Sequence, residues 1–460
     1  MSKYTTTNPT TGQIEREFPT LQDGEVEGVL ARSHAAYDGW RSTSPQDRAK
    51  VLADVAQAYR DRAEELGRLI ATEMGKPLRQ AIGEAKLAGK IYQWYADHGP
   101  ELLQTETLDP QGAVESIVQT TPLGSLVGIM PWNYPYYQVA RFAAPNLMAG
   151  NTVILKHAPI CGASSAVMEQ ILHEAGVPQD AYINVYATNE QVATMIADPR
   201  VQGVSLTGSE RAGTAVAKTA AENLKKAVLE LGGSDAMIVL DDADVESTAR
   251  TAAQGRLSNA GQACNSPKRM IVPNDKLDQF VATVVSTFEG AAVGDPTQDG
   301  TAVGPLSSVT ARDTVVQQVQ RAVDQGATLH TGGQPLDGEG AFMAPAVLTG
   351  VTPEMDAYSE EIFGPVAVVY GVDSVEEALE LANDVSFGLS GSVWSQDIDR
   401  AQEVADGLEV GMAYVNEHGT TLPGLPFGGV KRSGFGRELG RWGMGEFVNT
   451  RLRRTAAAKG

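Results

Sequence analysis

From Ser116 onward the chain alternates short β-branched runs with amphipathic stretches: NTVILKH is followed by ASSAVMEQILHEAG, and VQGVSLTGS by RAGTAVAKTAAENL. Strand and helix in such alternation predict βαβ units around a mainly parallel sheet. After the glycines of ELGGSD a second series begins near Gly233, with AMIVL, KRMIVP, KLDQFVATVVSTF, PVAVVYGV, SVEEALELAND, LSGSVWS and DIDRAQEVADGL. The fold class is therefore α/β, with two doubly wound domains. A length of 460 residues leaves room for both cores.

The first hundred residues read as helical. In SPQDRAKVLADVAQAYRDRAEELGRLIATEM, Ser44 is placed to cap, Pro45 suits the first helical position, and apolar residues recur at three- and four-residue spacing. Two segments, ESIVQTTPLGSLVGIM and the tail GEFVNTRLRR, read as strands with apolar faces left over. Pairing between subunits and ordinary sheet edges both account for such strands.

Composition narrows the function. A net charge of −21 opposes a phosphate backbone, so nucleic acid is excluded as a partner, while a local basic pocket for a small anion is not. The sequence holds no apolar run long enough to span a bilayer, and MSKYTTTNPTTGQ lacks the apolar core of an export signal. Two cysteines, Cys161 and Cys264, make neither a disulfide framework nor a zinc quartet, so the expected compartment is the cytoplasm and no metal is expected.

Chemistry gathers in a few short stretches. Cys264, in LSNAGQACNSPKRM, falls on a connection between a helix and the strand KRMIV. A lone cysteine serves as apolar filler or as a nucleophile, and Gly261, Gln262 and Asn265 beside it are poor core packing. Glu230, in LELGG, closes a strand before two glycines, where a carboxylate acts as a general base or is merely solvated. Asn133, in MPWNYP, is either an oxyanion donor or a turn residue. SLTGSERAG sets Gly208 and Ser209 before a helix whose free N–H groups suit a phosphate, although it does not match GxGxxG. Lys156 ends the strand NTVILKH, where a ribose or phosphate or only solvent would meet it.

Together PWNYP, ILKHA, LTGS, LELGG, GQAC, EEIFGPV and PFGGVKRSGFGRE resemble the aldehyde dehydrogenase superfamily across essentially the whole chain. The resemblance implies a dinucleotide-binding domain at 1–107 and 127–232, a catalytic domain at 233–430, and a small β oligomerisation arm at 108–126 and 437–460, hence a homodimer or homotetramer. It makes Cys264 the nucleophile, Glu230 the general base, and Asn133 the oxyanion donor alongside the Cys264 backbone N–H. Lys156 and Glu361 match ribose-binding positions, Phe363 the aromatic beside the nicotinamide, and Ser209 the pyrophosphate contact, with Trp132, Gly208 and Leu231 also at the cofactor. Cys161 matches no catalytic position and is expected to be structural.

The implied chemistry is oxidation of an aldehyde to an acid through a cysteine thiohemiacetal and thioester. Where NAD-preferring relatives carry a glutamate, this chain has Pro159; without that carboxylate beside Lys156 and His157, a 2′-phosphate is not repelled, so NADP is expected, with NAD possible. PWNYPYYQVARFAAPNL and LPFGGVKRSGFGREL resemble the bacterial succinate-semialdehyde dehydrogenase branch, in which Arg141 matches the arginine for the substrate carboxylate. Two positions depart from that branch: Ser258 stands where some members have arginine, and EHGTTLPGLPFGG lacks a basic residue before PFGG. The alternatives are an uncharged aliphatic or aromatic aldehyde accommodated by Tyr136, Tyr137 and Trp132, a CoA-acylating enzyme, disfavoured by the presence of Glu230, and an inactive binding or structural member of the fold. Asn265 and Ser266 follow the nucleophile, so a disulfide switch within that loop is not expected.

Overall fold

The computed structural model describes residues 4–458. The first three positions of the expected dinucleotide-binding domain and the last two of the expected arm lie outside the described residues. The chain opens on an antiparallel hairpin, Tyr4–Thr7 with Ile14–Phe18, where the sequence reading had only helices. The threonine run explains the difference: β-branched side chains favour the extended backbone, and alternate residues of Tyr4–Thr7 are buried. Four helices follow, Asp23–Ser42, Pro45–Asp61, Ala63–Met74 and Leu78–Leu102. Ser44 caps the second by accepting from the Asp47 N–H, with Pro45 at the first turn. Leu52, Val55, Tyr59, Tyr92 and Tyr95 are wholly buried between these helices and Pro135–Ala149. Leu52 and Val55 each contribute about 1.5–3 kcal/mol by leaving water.

Two sheets carry the fold. The first has six strands in the order Gly434–Phe435, Lys226–Glu230, Val201–Thr207, Ser125–Met130, Thr152–His157 and Tyr182–Asn184, all parallel except the short first one. The second has seven in the order Thr328–Thr331, Ala346–Thr349, Val366–Val372, Arg269–Pro273, Ala236–Val239, Ser390–Trp394 and Met412–Val415, again parallel but for the first. Ser125–Met130 lies between Thr152–His157, which follows it, and Val201–Thr207, reached after the chain has crossed back. Such a reversal opens a crevice at the carboxyl ends of the strands. Glu230 ends one sheet and Ala236 begins the other, so the crevice of the first sheet faces the amino ends of the second.

The two leftover strands pair with each other. Val448–Thr455 runs antiparallel to Glu115–Pro122, from Val448 opposite Pro122 to Thr455 opposite Glu115, with Glu106–Thr107 on the far side. SLVGIM is not part of this arm: Ser125–Met130 is a buried strand of the first sheet, so the expected boundary at 126 falls inside it. Residues 437–447 also stay with the first domain, because Leu439, Met444 and Phe447 are buried in its core. Among the described residues, no helix is long and apolar enough to cross a membrane.

Candidate active site

Cys264 rides on a strained loop. The helix Val245–Leu257 ends in a short turn where Asn259, Ala260 and Gly261 take φ of 51°, 52° and 70°. Left-handed backbone in non-glycine residues costs energy and persists only where the surroundings impose it. Arg256 does much of this: its buried guanidinium donates to the carbonyls of Gly261 (2.9 Å), Val366 (2.6 Å) and Ile362 (2.7 Å) and to Ser266 Oγ (2.7 Å). Asn259 Nδ2 donates to the Asn133 carbonyl at 2.9 Å, and Gln262 Nε2 to the Asn259 carbonyl at 3.1 Å. At Gly261 a Cβ would lie 2.1 Å from the Gly364 carbonyl oxygen, so only glycine fits there. The polar residues that look out of place for a core thus build the loop that presents the thiol.

The Cys264 side chain is half-buried, whereas Cys161 is fully buried with its thiol 4.0 Å from the Trp132 carbonyl oxygen. Burial pushes the Cys264 thiol up to about 12; Arg141 and Lys268 favour the thiolate, and Glu361 and Asp235 oppose it. At rest the group is a protonated thiol. Asn133 lies alongside, its carboxamide nitrogen donating to the Gln262 carbonyl at 3.0 Å and its oxygen accepting from Gln138 at 3.0 Å. One of the two amide hydrogens suffices for Gln262, which leaves the other for an oxyanion.

Glu230 is buried at the end of its strand, and neither carboxylate oxygen has a hydrogen-bond partner among the described residues. Burial raises its pKa well above the ordinary carboxylate range, and Glu438 adds to this, while Arg141 and Arg437 act in the opposite sense. Glu438 is likewise buried, 2.6 Å from Arg141 Nε, and accepts from Ser205 Oγ at 3.3 Å. Two carboxyl groups thus share the field of one guanidinium.

That arrangement revises the expectation for Arg141. Its side chain is inaccessible to solvent and ion-paired to Glu438, with further donations to Tyr137 Oη (3.2 Å) and Thr207 Oγ1 (3.4 Å). Its guanidinium also stacks on Phe427 and Tyr137 at 4.1 and 4.7 Å from the ring centres. The helix Pro135–Ala149 is buried on every side, so a charge on it requires an internal partner. Tyr136 is also corrected: its hydroxyl donates to the Leu66 carbonyl at 3.1 Å and its ring packs on Tyr59, away from the site. Tyr137 faces the other way, onto Tyr134, Phe427 and Thr421, because adjacent helical residues do not share a face. Ser258 donates to Gln80 at 3.4 Å and lines a cavity of about 1060 Å³ with Lys86, Leu257 and Thr301.

The expected cofactor residues collect at the carboxyl ends of the first sheet and the facing ends of the second. Lys156, next to last in the strand Thr152–His157, is largely buried, without a hydrogen-bond partner among the described residues, and burial lowers its pKa. Pro159 opens the turn Pro159–Cys161. Ser209 follows Gly208 and caps the helix Glu210–Glu222 by accepting from the Ala212 N–H, leaving other first-turn N–H groups for an anion. Leu231 packs over Gly213, and its N–H donates to the Ser433 carbonyl at 2.9 Å. Glu361 accepts from the Gly233 N–H at 3.2 Å, an approach open only because a Cβ on Gly232 would lie 2.4 Å from Glu361 Oε2. Phe363 meets Trp132 edge-on at 5.8 Å. An unpartnered ammonium, a helix N-terminus, a carboxylate and an aromatic pair fit a phosphorylated dinucleotide. His157 adds no charge to that set: burial brings its pKa down to about 4, so the ring is neutral. Sequence reading missed Lys268, Arg256 and Glu438; Lys268 stood in the quoted LSNAGQACNSPKRM and Glu438 in PFGGVKRSGFGRE, neither with a role.

A family model described as the aldehyde dehydrogenase family matches residues 1–452. The chain is similar to the NADP(+) succinate-semialdehyde dehydrogenase of Deinococcus radiodurans, at 50% identity over 457 residues, 99% of this chain and 95% of that one. It is 41% identical to the NAD(P)+ succinate semialdehyde dehydrogenase of Escherichia coli K12, over 96% of each chain. Among solved structures, the succinic semialdehyde dehydrogenase of Streptococcus pyogenes in complex with NADP+ aligns with a TM-score of 0.96 at 40% identity, covering 99% of this chain and 100% of that one.

Proposed function

Because the chain belongs to the aldehyde dehydrogenase family, we propose that it oxidises succinic semialdehyde to succinate with NADP, using Cys264 as nucleophile, Glu230 as base and Asn133 as oxyanion donor. The observation that carries the reading is a half-buried thiol on a loop tied to Asn133 through Gln262 and Asn259, with the Arg141 guanidinium acting both on that thiol and on the buried, unpaired carboxyl group of Glu230.

The Cys264 thiol, only half-buried, passes its proton to water, and the thiolate adds to the aldehyde carbon, forming a thiohemiacetal. The Asn133 carboxamide and the Cys264 N–H receive the developing oxyanion, which a fixed donor stabilises better than mobile water does. Lys156, Ser209, Glu361 and the Trp132–Phe363 pair would hold NADP, which would supply the acceptor for the hydride whose loss from the thiohemiacetal carbon leaves the thioester. Glu230 then takes a proton from water, whose oxygen attacks the thioester carbon and releases the acid and the thiolate. Gly208, Pro159 and Leu231 shape the cofactor's seat. In this division 125–232 with the opening helices binds the dinucleotide and 233–430 brings the thiol.

Arg141 serves the site through its charge, favouring the anions of Cys264 and Glu230. Its engagement by Glu438, Tyr137 and Thr207 also favours a second reading, oxidation of uncharged aldehydes. Initial rates with succinic semialdehyde, hexanal and benzaldehyde, each with NADP and NAD, separate the two. Preference for succinic semialdehyde with NADP supports the first; equal or better rates with hexanal overturn it. The arm supports a homo-oligomer, since Val448–Thr455 is an edge strand of its three-stranded sheet, exposed from Asn449 onward, with a free edge for another strand to pair with.

A further inference from the structure

We infer that Lys268 is a positioning residue that fixes the peptide bearing the oxyanion-binding N–H and ties it to Glu361 at the cofactor's seat. The inference rests on Cys264 being the nucleophile.

Lys268 immediately precedes the strand Arg269–Pro273, its own N–H donating to the Asp235 carbonyl at 3.1 Å. The residue is 3% exposed, and its ammonium donates to the carbonyls of Ala263 (2.9 Å) and Cys264 (2.6 Å) and lies 3.2 Å from Glu361 Oε1. An ammonium has three N–H groups, and three acceptors take them here. Burying such a charge costs several kcal/mol, which a methionine or leucine in the same volume would avoid.

The Ala263 carbonyl and the Cys264 N–H belong to one planar peptide. Holding the oxygen therefore sets the direction of the N–H, and a cation on the oxygen makes that N–H a stronger donor. The Cys264 carbonyl, on the next peptide, is held by the same ammonium, so the nucleophile is clamped on both sides. Glu361 Oε1 is shared between Lys268 and the Gly233 N–H. A ligand that draws on Glu361 thereby alters the charge balance at the thiol. Arg141, Lys268, Glu361 and Asp235 are the charged groups acting on Cys264, and Arg256 lies near both carboxylates.

The test is Lys268→Met in the full-length enzyme, with Lys268→Arg beside it. We expect kcat for Lys268→Met to fall about a hundredfold, the scale of a lost oxyanion donor, with KM little changed. Cys264 alkylation by iodoacetamide should shift its midpoint to higher pH, and the effect of added NADP on that midpoint should disappear. Lys268→Arg keeps the charge but its planar fork cannot serve all three acceptors, so it should retain the wild-type midpoint with kcat reduced about tenfold. A Lys268→Met enzyme that is only less heat-stable, with wild-type kcat and alkylation profile, would overturn the inference. If Lys268→Met does not fold, Lys268→Arg decides: wild-type kcat there also overturns it. A wild-type enzyme that still turns over after complete Cys264 alkylation would instead sink the reading beneath it.

Discussion

The chain has two cysteines, and the regions around them solve opposite problems. Cys161 sits in the turn before the helix Gly162–Glu174, fully buried, where burial and the carboxylates Glu73 and Glu84 push its thiol far up against the lesser opposing effect of Lys76. Cys264 is half-buried on a left-handed loop, also raised, but with Arg141 and Lys268 drawing it back toward the thiolate. Glu73 shows how the first region disposes of charge: it accepts from the N–H groups of Ala163 and Ser164 and from Thr6 Oγ1. Glu230, which shares the Arg141 guanidinium's field with Cys264, has neither oxygen paired among the described residues. Of these two buried carboxylates, the one that holds packing together is satisfied and the one assigned to the reaction is not.

Predictions that break or sharpen this contrast run from large to small. Cys264→Ala should abolish steady-state oxidation while the protein still binds NADP, measured by turnover and by titration of cofactor fluorescence. Glu230→Gln should lower kcat about 10²–10⁴-fold, the range for a lost general base, with thioester hydrolysis slowed more than formation in single-turnover traces. In the wild type, Glu230 acts when ionised and its pKa is raised, so hydrolysis is present above that raised value and lost as pH falls through it. That limb of the pH–rate profile should vanish in Glu230→Gln. Cys161→Ala should leave kcat within twofold and lower stability by about 1–2 kcal/mol, read from denaturant unfolding.

Much of this was legible in the sequence for physical reasons. The alternation of strand and helix named both sheets because parallel pairing demands a crossover. Gly261 and Gln262 marked the Cys264 loop because neither suits a core, and Glu230 stood before two glycines that turn the chain out of its strand. Burial and pairing were not legible. Nothing in QVARF says that Arg141 would be enclosed on all sides and matched to Glu438, almost three hundred positions on by number. Tyr136 and Tyr137 are adjacent and alike, and only the packing of their helix decides which one faces the site. The opening hairpin is short, and its four-residue strand Tyr4–Thr7 gives too brief an alternation to stand out before the long helical periodicity that follows.

The most direct measurement is mass spectrometry of Glu230→Gln acid-quenched during turnover of succinic semialdehyde with NADP, followed by peptide mapping. The account predicts a succinyl thioester on the peptide containing Cys264, absent from Cys264→Ala and from the peptide containing Cys161. Turnover without any acyl adduct on Cys264, or an adduct on Cys161, would contradict it.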